Sequence, residues 1–163
     1  MPTAKPKAVL APNVGDKAPA FKLKATDGGE VSLAKMKGKA FVLYFYPKDN
    51  TSGCTAEACD FRDALPQFEK LGLEVIGVSK DSLASHEKFK AKFDLAFPLA
   101  SDEDGKVCEA FGVWVQKSMY GRKYMGIERS TFLIDAKGVI RGAWRKVSIP
   151  GHVEEVRKAA AEL

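Results

Sequence analysis

The chain has 163 residues, 45% hydrophobic and 29% charged, the length and balance of one globular domain. Wholesale disorder, collagen and a membrane span are excluded; the longest apolar runs are strand-sized, such as Ala40 to Tyr46. Net charge is +5, and Lys5, Lys7, Lys17, Lys22 and Lys24 stand against one acid, Asp16, near the start. Without an arginine cluster interleaved with aromatics, this basic stretch reads as a solvated tail and no nucleic-acid partner is expected.

Residues 1–13, rich in Pro, Ala and Lys, are expected to form a flexible basic tail ahead of a single domain over 14–163. Met1 to Leu10 lacks the apolar core of a secretory signal, and three cysteines are too few for a disulfide scaffold. A reducing cytoplasm is therefore the expected compartment. Phe21 to Ala25 and Val31 to Leu33 alternate apolar and polar residues around the turn residues Thr26 to Gly29, which predicts an N-terminal β-hairpin. Ala40 to Tyr46 is apolar throughout and stops at Pro47, the pattern of a central strand covered on both faces.

From Thr55 to Leu71, Ala58, Phe61, Leu65, Phe68 and Leu71 recur at helical spacing, with a kink expected at Pro66. A strand over Leu73 to Ser79, a helix over Ser82 to Phe93 and an extended piece at Phe97 to Ala100 follow. Then come a short helix over Val107 to Phe111, a second hairpin from Thr131–Asp135 and Val139–Trp144, and a terminal helix over Val153 to Leu163. The β-α-β portion requires parallel strands, and the late hairpin adds antiparallel ones. The result is an α/β chain with a mixed central sheet, helices on both faces and an N-terminal β-hairpin, the layout of a thioredoxin-like fold.

The chemistry concentrates in Pro47-Lys48-Asp49-Asn50-Thr51-Ser52-Gly53-Cys54, which leaves the central strand and enters a helix. Sites form at the carboxyl ends of strands in open α/β sheets. Cys54 falls at or just inside the helix N-terminus, where unpaired amides and the helix dipole stabilise a thiolate. That placement makes Cys54 a candidate nucleophile, and the polar loop before it predicts an accessible thiol over an inert buried one. Thr51, three residues earlier, can bring its hydroxyl to the same spot, or serve only the turn. Pro47 ends the strand and offers no N–H.

Cys59 lies five residues beyond Cys54, about 7.5 Å of rise and roughly 8.6 Å between Cα atoms in an ideal helix. A disulfide needs about 4.4–6.8 Å, so the two thiols can join only if the first turns of the helix unwind. The alternative for Cys59 is a small core-facing residue, and Cys108 reads best as filler. Arg129, just before a strand, can point a cation into the site. Glu57 reads as a first-turn helix acid, His86 as the inner edge of its helix and His152 as a surface or capping residue. No C-x-x-C pair and only two histidines leave no metal site expected.

Proline, three residues, threonine, two residues, cysteine is similar to the peroxiredoxin signature. The continuation Cys-Thr-Ala-Glu-Ala-Cys-Asp-Phe-Arg-Asp resembles the Q-type branch, also called bacterioferritin comigratory proteins. Gly15 to Phe21, Phe41 to Pro47 and Glu128 to Asp135 resemble that family too, so the likeness covers residues 14–163. It implies an atypical two-cysteine thiol peroxidase acting on hydrogen peroxide and organic hydroperoxides. Cys54 would be the peroxidatic cysteine and Cys59 the resolver. Thr51 would hold the peroxide oxygens, Arg129 would stabilise the thiolate and transition state, and Pro47 would shield the site. Thioredoxin or a related dithiol would reduce the Cys54–Cys59 disulfide, with no cofactor, no metal, no membrane and no second subunit needed, so a monomer is expected. The competing readings are a protein disulfide oxidoreductase or thiol chaperone using the same pair, and a binding module acting through the basic tail. The basic tail and Cys108 match nothing in the family pattern.

Overall fold

The computed structural model describes residues 11–163. Most of the segment read as a tail, with Lys5 and Lys7, lies outside the described residues. Within its last part, the Pro12 carbonyl accepts from Arg145 Nη2 at 2.6 Å, and the Asn13 amide donates to Asp16 at 2.8 Å.

The described residues form nine strands and four helices: β1 (Lys22–Ala25), β2 (Glu30–Ser32), β3 (Phe41–Phe45), α1 (Ser52–Lys70), β4 (Glu74–Ser79), α2 (Leu83–Phe93), β5 (Leu99–Ser101), α3 (Lys106–Ala110), β6 (Trp114–Met119), β7 (Arg122–Ile127), β8 (Ser130–Ile134), β9 (Ile140–Trp144) and α4 (His152–Ala160). Seven strands form one sheet in the order β9-β8-β3-β4-β5-β1-β2. β3, β4 and β5 run parallel, and β8, β9 and the β1–β2 hairpin join antiparallel. The sheet is mixed, as the element order predicts.

The apolar run of β3 is buried at all five positions because both faces are covered. Phe41, Leu43 and Phe45 enter one core with Phe21, Val107, Cys108, Phe111 and Ile127. Val42 and Tyr44 enter the other, with Cys54, Phe61 and Phe68 of α1, Phe89 of α2 and Val156 of α4. The strand period of two thus sorts the helices: α1, α2 and α4 pack on one face and α3 on the other. Ser82 caps α2, its side chain accepting from the Ser85 amide at 3.2 Å. α1 runs continuously through Pro66, which has no amide hydrogen to offer the carbonyl of Arg62.

Residues 114–127, to which the sequence reading gives no structure, form a separate two-stranded hairpin. Tyr120 and Gly121 make its two-residue turn, both at positive φ (53° and 78°), as the twist of a tight hairpin requires. Met119, Tyr120, Tyr124 and Met125 of this hairpin are exposed. Among the described residues, no helix is long and apolar enough to cross a membrane.

Gly77 in β4 marks a close approach in the middle of the sheet. A Cβ there would lie 2.9 Å from Leu99 Cδ2 and 2.9 Å from Tyr44 Cζ. Tyr44 is itself fully buried, stacked on Phe61 at 4.5 Å between ring centroids. Gly77→Ala should therefore cost about 1–3 kcal/mol by overpacking. Urea unfolding should show a lower midpoint, and an unchanged midpoint would mean that this layer can shift.

Candidate active site

Strand register assembles the site at the carboxyl end of β3. β3 pairs with β8 so that Phe45 faces Ser130. Continuing that antiparallel register by one residue brings Arg129 beside Tyr46 and Pro47 as the chain leaves the sheet. The loop then turns at Asn50, at positive φ, and enters α1 with Thr51 as the N-cap residue. Thr51 makes no side-chain cap; its hydroxyl donates to the Lys48 carbonyl at 2.9 Å, and its carbonyl accepts the Thr55 amide at 2.8 Å. The first-turn amides of α1 are thus left without a capping side chain, and the positive end of the helix dipole stays open.

Cys54 is the third residue of α1. Arg129 Nη2 lies 3.3 Å from Cys54 Sγ, and Nη1 donates to Glu57 Oε1 at 2.6 Å. Cys54 and Glu57, three apart, share one helix face, so one planar guanidinium spans both. Contrary to the accessible thiol expected from the polar loop, Cys54 is only 2% exposed. The reason is the helix phase: the third position of α1 turns toward the sheet, with Ala58 and Phe61 on the same buried face. Glu57 is likewise not the first-turn acid that the sequence suggested. It sits in the second turn, fully buried, and its second carboxylate oxygen finds no partner among the described residues.

Burial pushes the Glu57 carboxyl up to about 7, against the opposing pull of Arg129. Burial alone would lower the Arg129 guanidinium, but Glu57 and Cys54 outweigh it and hold the cation firmly protonated. The buried Tyr44 hydroxyl is held well above the ordinary phenol range, first by desolvation and then by Glu57 and Cys54.

Pro47 and Arg129 line one pocket of about 510 Å3, walled by Val115, Lys117 and Tyr124 of the hairpin and by Val147. Burial, then Arg129, holds the Lys117 ammonium below the usual lysine range. These hairpin side chains escaped the sequence reading, although the Tyr-Gly pair was a usable turn signal. His152, read as a surface residue, is 4% exposed and 2.8 Å from Thr131 Oγ1. It lies edge-on to Phe61 and Trp144, and burial lowers it to about 4.

Cys59 is half-buried on the intact α1, and all three cysteines are free thiols. Cys108 lies in the core on the other face of the sheet from Cys54. Burial, then Asp102, pushes its thiol far up.

The sequence profile of the AhpC/TSA family matches residues 14–143. The chain belongs to that family. Peroxiredoxin Bcp of Bacillus subtilis is 51% identical over 150 residues, 92% of this chain and 96% of the relative. Two solved Xanthomonas campestris structures, a peroxiredoxin Q and a bacterioferritin comigratory protein with alkyl peroxide reduction activity, each superpose with a TM-score of 0.83. Each is 46% identical and covers 87% of this chain and 90% of its own. The chain is a family member of the Bcp, or Q, type, and its fold is thioredoxin-like.

Glu57 gives this AhpC/TSA protein a titration that stability should report. Its folded value near 7 exceeds its ordinary 4.5, so between these values the folded state holds a proton that the unfolded chain has released. Its stabilising contribution is complete below the lower value and is lost as pH rises through the upper, a change of about 3 kcal/mol. Glu57→Gln should lose less stability than wild type between about pH 5 and about pH 8 in urea titrations. Parallel loss in both proteins would mean that Glu57 is ionised throughout.

Proposed function

We propose that the chain is a thiol peroxidase reducing hydrogen peroxide and organic hydroperoxides, with Cys54 as the peroxidatic cysteine. The observation that carries the reading is Cys54 Sγ held 3.3 Å from the Arg129 guanidinium at the uncapped start of α1. A thiolate there attacks the terminal peroxide oxygen. The S–O bond forms as the O–O bond breaks, sulfur is oxidised by two electrons to a sulfenic acid, and the departing alkoxide or hydroxide takes a proton to leave as alcohol or water. Arg129 and the first-turn amides stabilise the charge that passes from sulfur to oxygen. Thr51 orients the peroxide, Pro47 limits water, and Glu57 fixes the guanidinium from behind. Val115, Tyr124 and Val147 add apolar atoms to a pocket otherwise lined by polar side chains such as Gln116 and Lys117, and the alkyl peroxide reduction of the Xanthomonas relative supports an organic hydroperoxide there.

Cys59 is the resolver. Its thiol attacks the Cys54 sulfenic sulfur, the S–S bond forms, and the hydroxyl leaves as water with the thiol proton. Helical spacing keeps the two sulfurs apart until the first turns of α1 unwind. Thioredoxin or a similar dithiol then returns the pair to thiols in a reducing cytoplasm. The intramolecular disulfide lets a monomer complete the cycle.

Peroxide consumption with thioredoxin, its reductase and NADPH tests this, with mass spectrometry after one equivalent of peroxide. Cys54→Ser should lose turnover by more than about a thousandfold. Cys59→Ser should accumulate a Cys54 sulfenic acid. A wild type that consumes no peroxide with any dithiol would overturn the assignment. A Cys54–Cys108 disulfide that sustains turnover in Cys59→Ser would overturn the role of Cys59.

A further inference from the structure

A second buried polar assembly lies beyond the sulfur and Arg129, and the chemistry above does not use it. Asp49 stands in the loop between Pro47 and Thr51, and its side chain is almost completely buried. One carboxylate oxygen accepts from the Tyr46 hydroxyl at 2.5 Å. The other accepts from the Ser85 hydroxyl at 2.7 Å and lies 2.7 Å from His86 Nδ1. His86, fully buried on α2, places Nε2 3.0 Å from the Ala100 carbonyl. A carbonyl only accepts, so Nε2 carries a hydrogen. A further proton lies between Nδ1 and the carboxylate, and the ring is bonded at both ends. The Asp49 amide also donates to Asp81 Oδ2 at 2.8 Å, an oxygen that takes the Ser79 hydroxyl at 2.6 Å.

Asp49, Asp81 and His86 have the composition of a metal cluster, but their facing carboxylate oxygens already have protein hydrogen-bond partners, and both imidazole nitrogens already face protein acceptors. The assembly is a clasp. It ties the loop entering α1 to α2, to the end of β4 and to β5, none of which includes the turns that must unwind.

We propose that Asp49 and His86 are positioning residues that hold the Cys54 end of α1 folded, and so set how the sulfenic acid divides between disulfide formation and further oxidation. This rests on the reading of Cys54 and Cys59 given above. α1 has two tethers near its start. The first is Arg129, which loses its anionic partner at Cys54 once the thiolate becomes a neutral sulfenic acid but keeps its bond to Glu57. The second is the clasp at Asp49, five residues upstream, whose bonds do not involve the sulfur. After oxidation the clasp therefore keeps its full hold on the entrance to residues 51–59, while the hold of Arg129 on α1 is reduced to Glu57. A firm clasp keeps Cys54 in its peroxide-reactive setting and delays Cys59. A loose clasp hastens Cys59 and spoils that setting.

The two rates should thus move in opposite directions, which simple destabilisation of the fold would not produce. Rapid-quench mass spectrometry with hydrogen peroxide reads both: sulfenic acid formation at Cys54, then the Cys54–Cys59 disulfide. In His86→Gln, disulfide formation should quicken and oxidation of Cys54 should slow, each by about fivefold, the factor one hydrogen bond is worth. With excess peroxide, the sulfinic acid fraction at Cys54 should fall. Ser85→Ala removes one donor from Asp49, keeps the Asp49–His86 contact and places a good helix former on α2, so it decides the matter if His86→Gln does not fold. It should shift both rates the same way, by about twofold. Unchanged rates in folded variants, or both rates falling together, would overturn the clasp while wild type still formed its disulfide. A wild type that forms neither sulfenic acid nor Cys54–Cys59 disulfide would overturn the parent reading, and the clasp with it.

Discussion

The Arg129 guanidinium touches Cys54 Sγ at 3.3 Å and Glu57 Oε1 at 2.6 Å in a setting from which Cys54 and Glu57 are almost wholly excluded from water. Such a charge pair is costly to bury, and it persists only where the geometry is held from several sides. Here β3 and β8 fix the cation by their register, α1 presents sulfur and carboxyl on one face, and the Phe61–Tyr44 stack seats that face on the sheet. Shifting the β3–β8 pairing by one residue would send Arg129 to the other side of the sheet. The site therefore depends on the same core contacts that define the fold.

Much of this was legible in the chain. An uninterrupted apolar run could only be an inner strand, and the helical recurrence of Ala58, Phe61, Leu65 and Phe68 fixed which face of α1 would be buried. A cysteine three residues after a turn-forming threonine then falls at a helix start. What escaped depends on contacts between distant segments. Glu57 looks like any acid near a helix start until Arg129, 72 residues later, lies beside it. Asp49 and His86 are 37 residues apart and meet only once β4 has carried the chain across to α2. The β6–β7 hairpin was missed because its side chains are largely exposed, which weakens the apolar rhythm by which strands are recognised. His152 was misplaced because a glycine before a helix start suggests an exposed cap, whereas α4 packs its first turn against Phe61 and Trp144.

The sheet also sorts the thiols. Cys54 and Cys59 ride one helix on one face, while Cys108 is sealed in the opposite core beside Asp102. A barrier of β3 and its neighbours separates Cys108 from Cys54. Any sulfur chemistry begun at Cys54 is thus confined to α1 and whatever approaches through the pocket beside Arg129.

That confinement gives Pro66 a meaning beyond its place in a helical pattern. An α-helix melts from its end one rung at a time, each opening aided by the loss of the one before. At Pro66 the ladder of α1 already lacks a rung, because no hydrogen bond can join its nitrogen to the Arg62 carbonyl. The turns carrying both cysteines and the stretch beyond, seated by Leu65 and Phe68, are consequently joined by one rung fewer than an unbroken helix would have. The proline thus sits behind the turns that bear the chemistry, while Phe61, Leu65 and Phe68 keep the rest of α1 seated in the core.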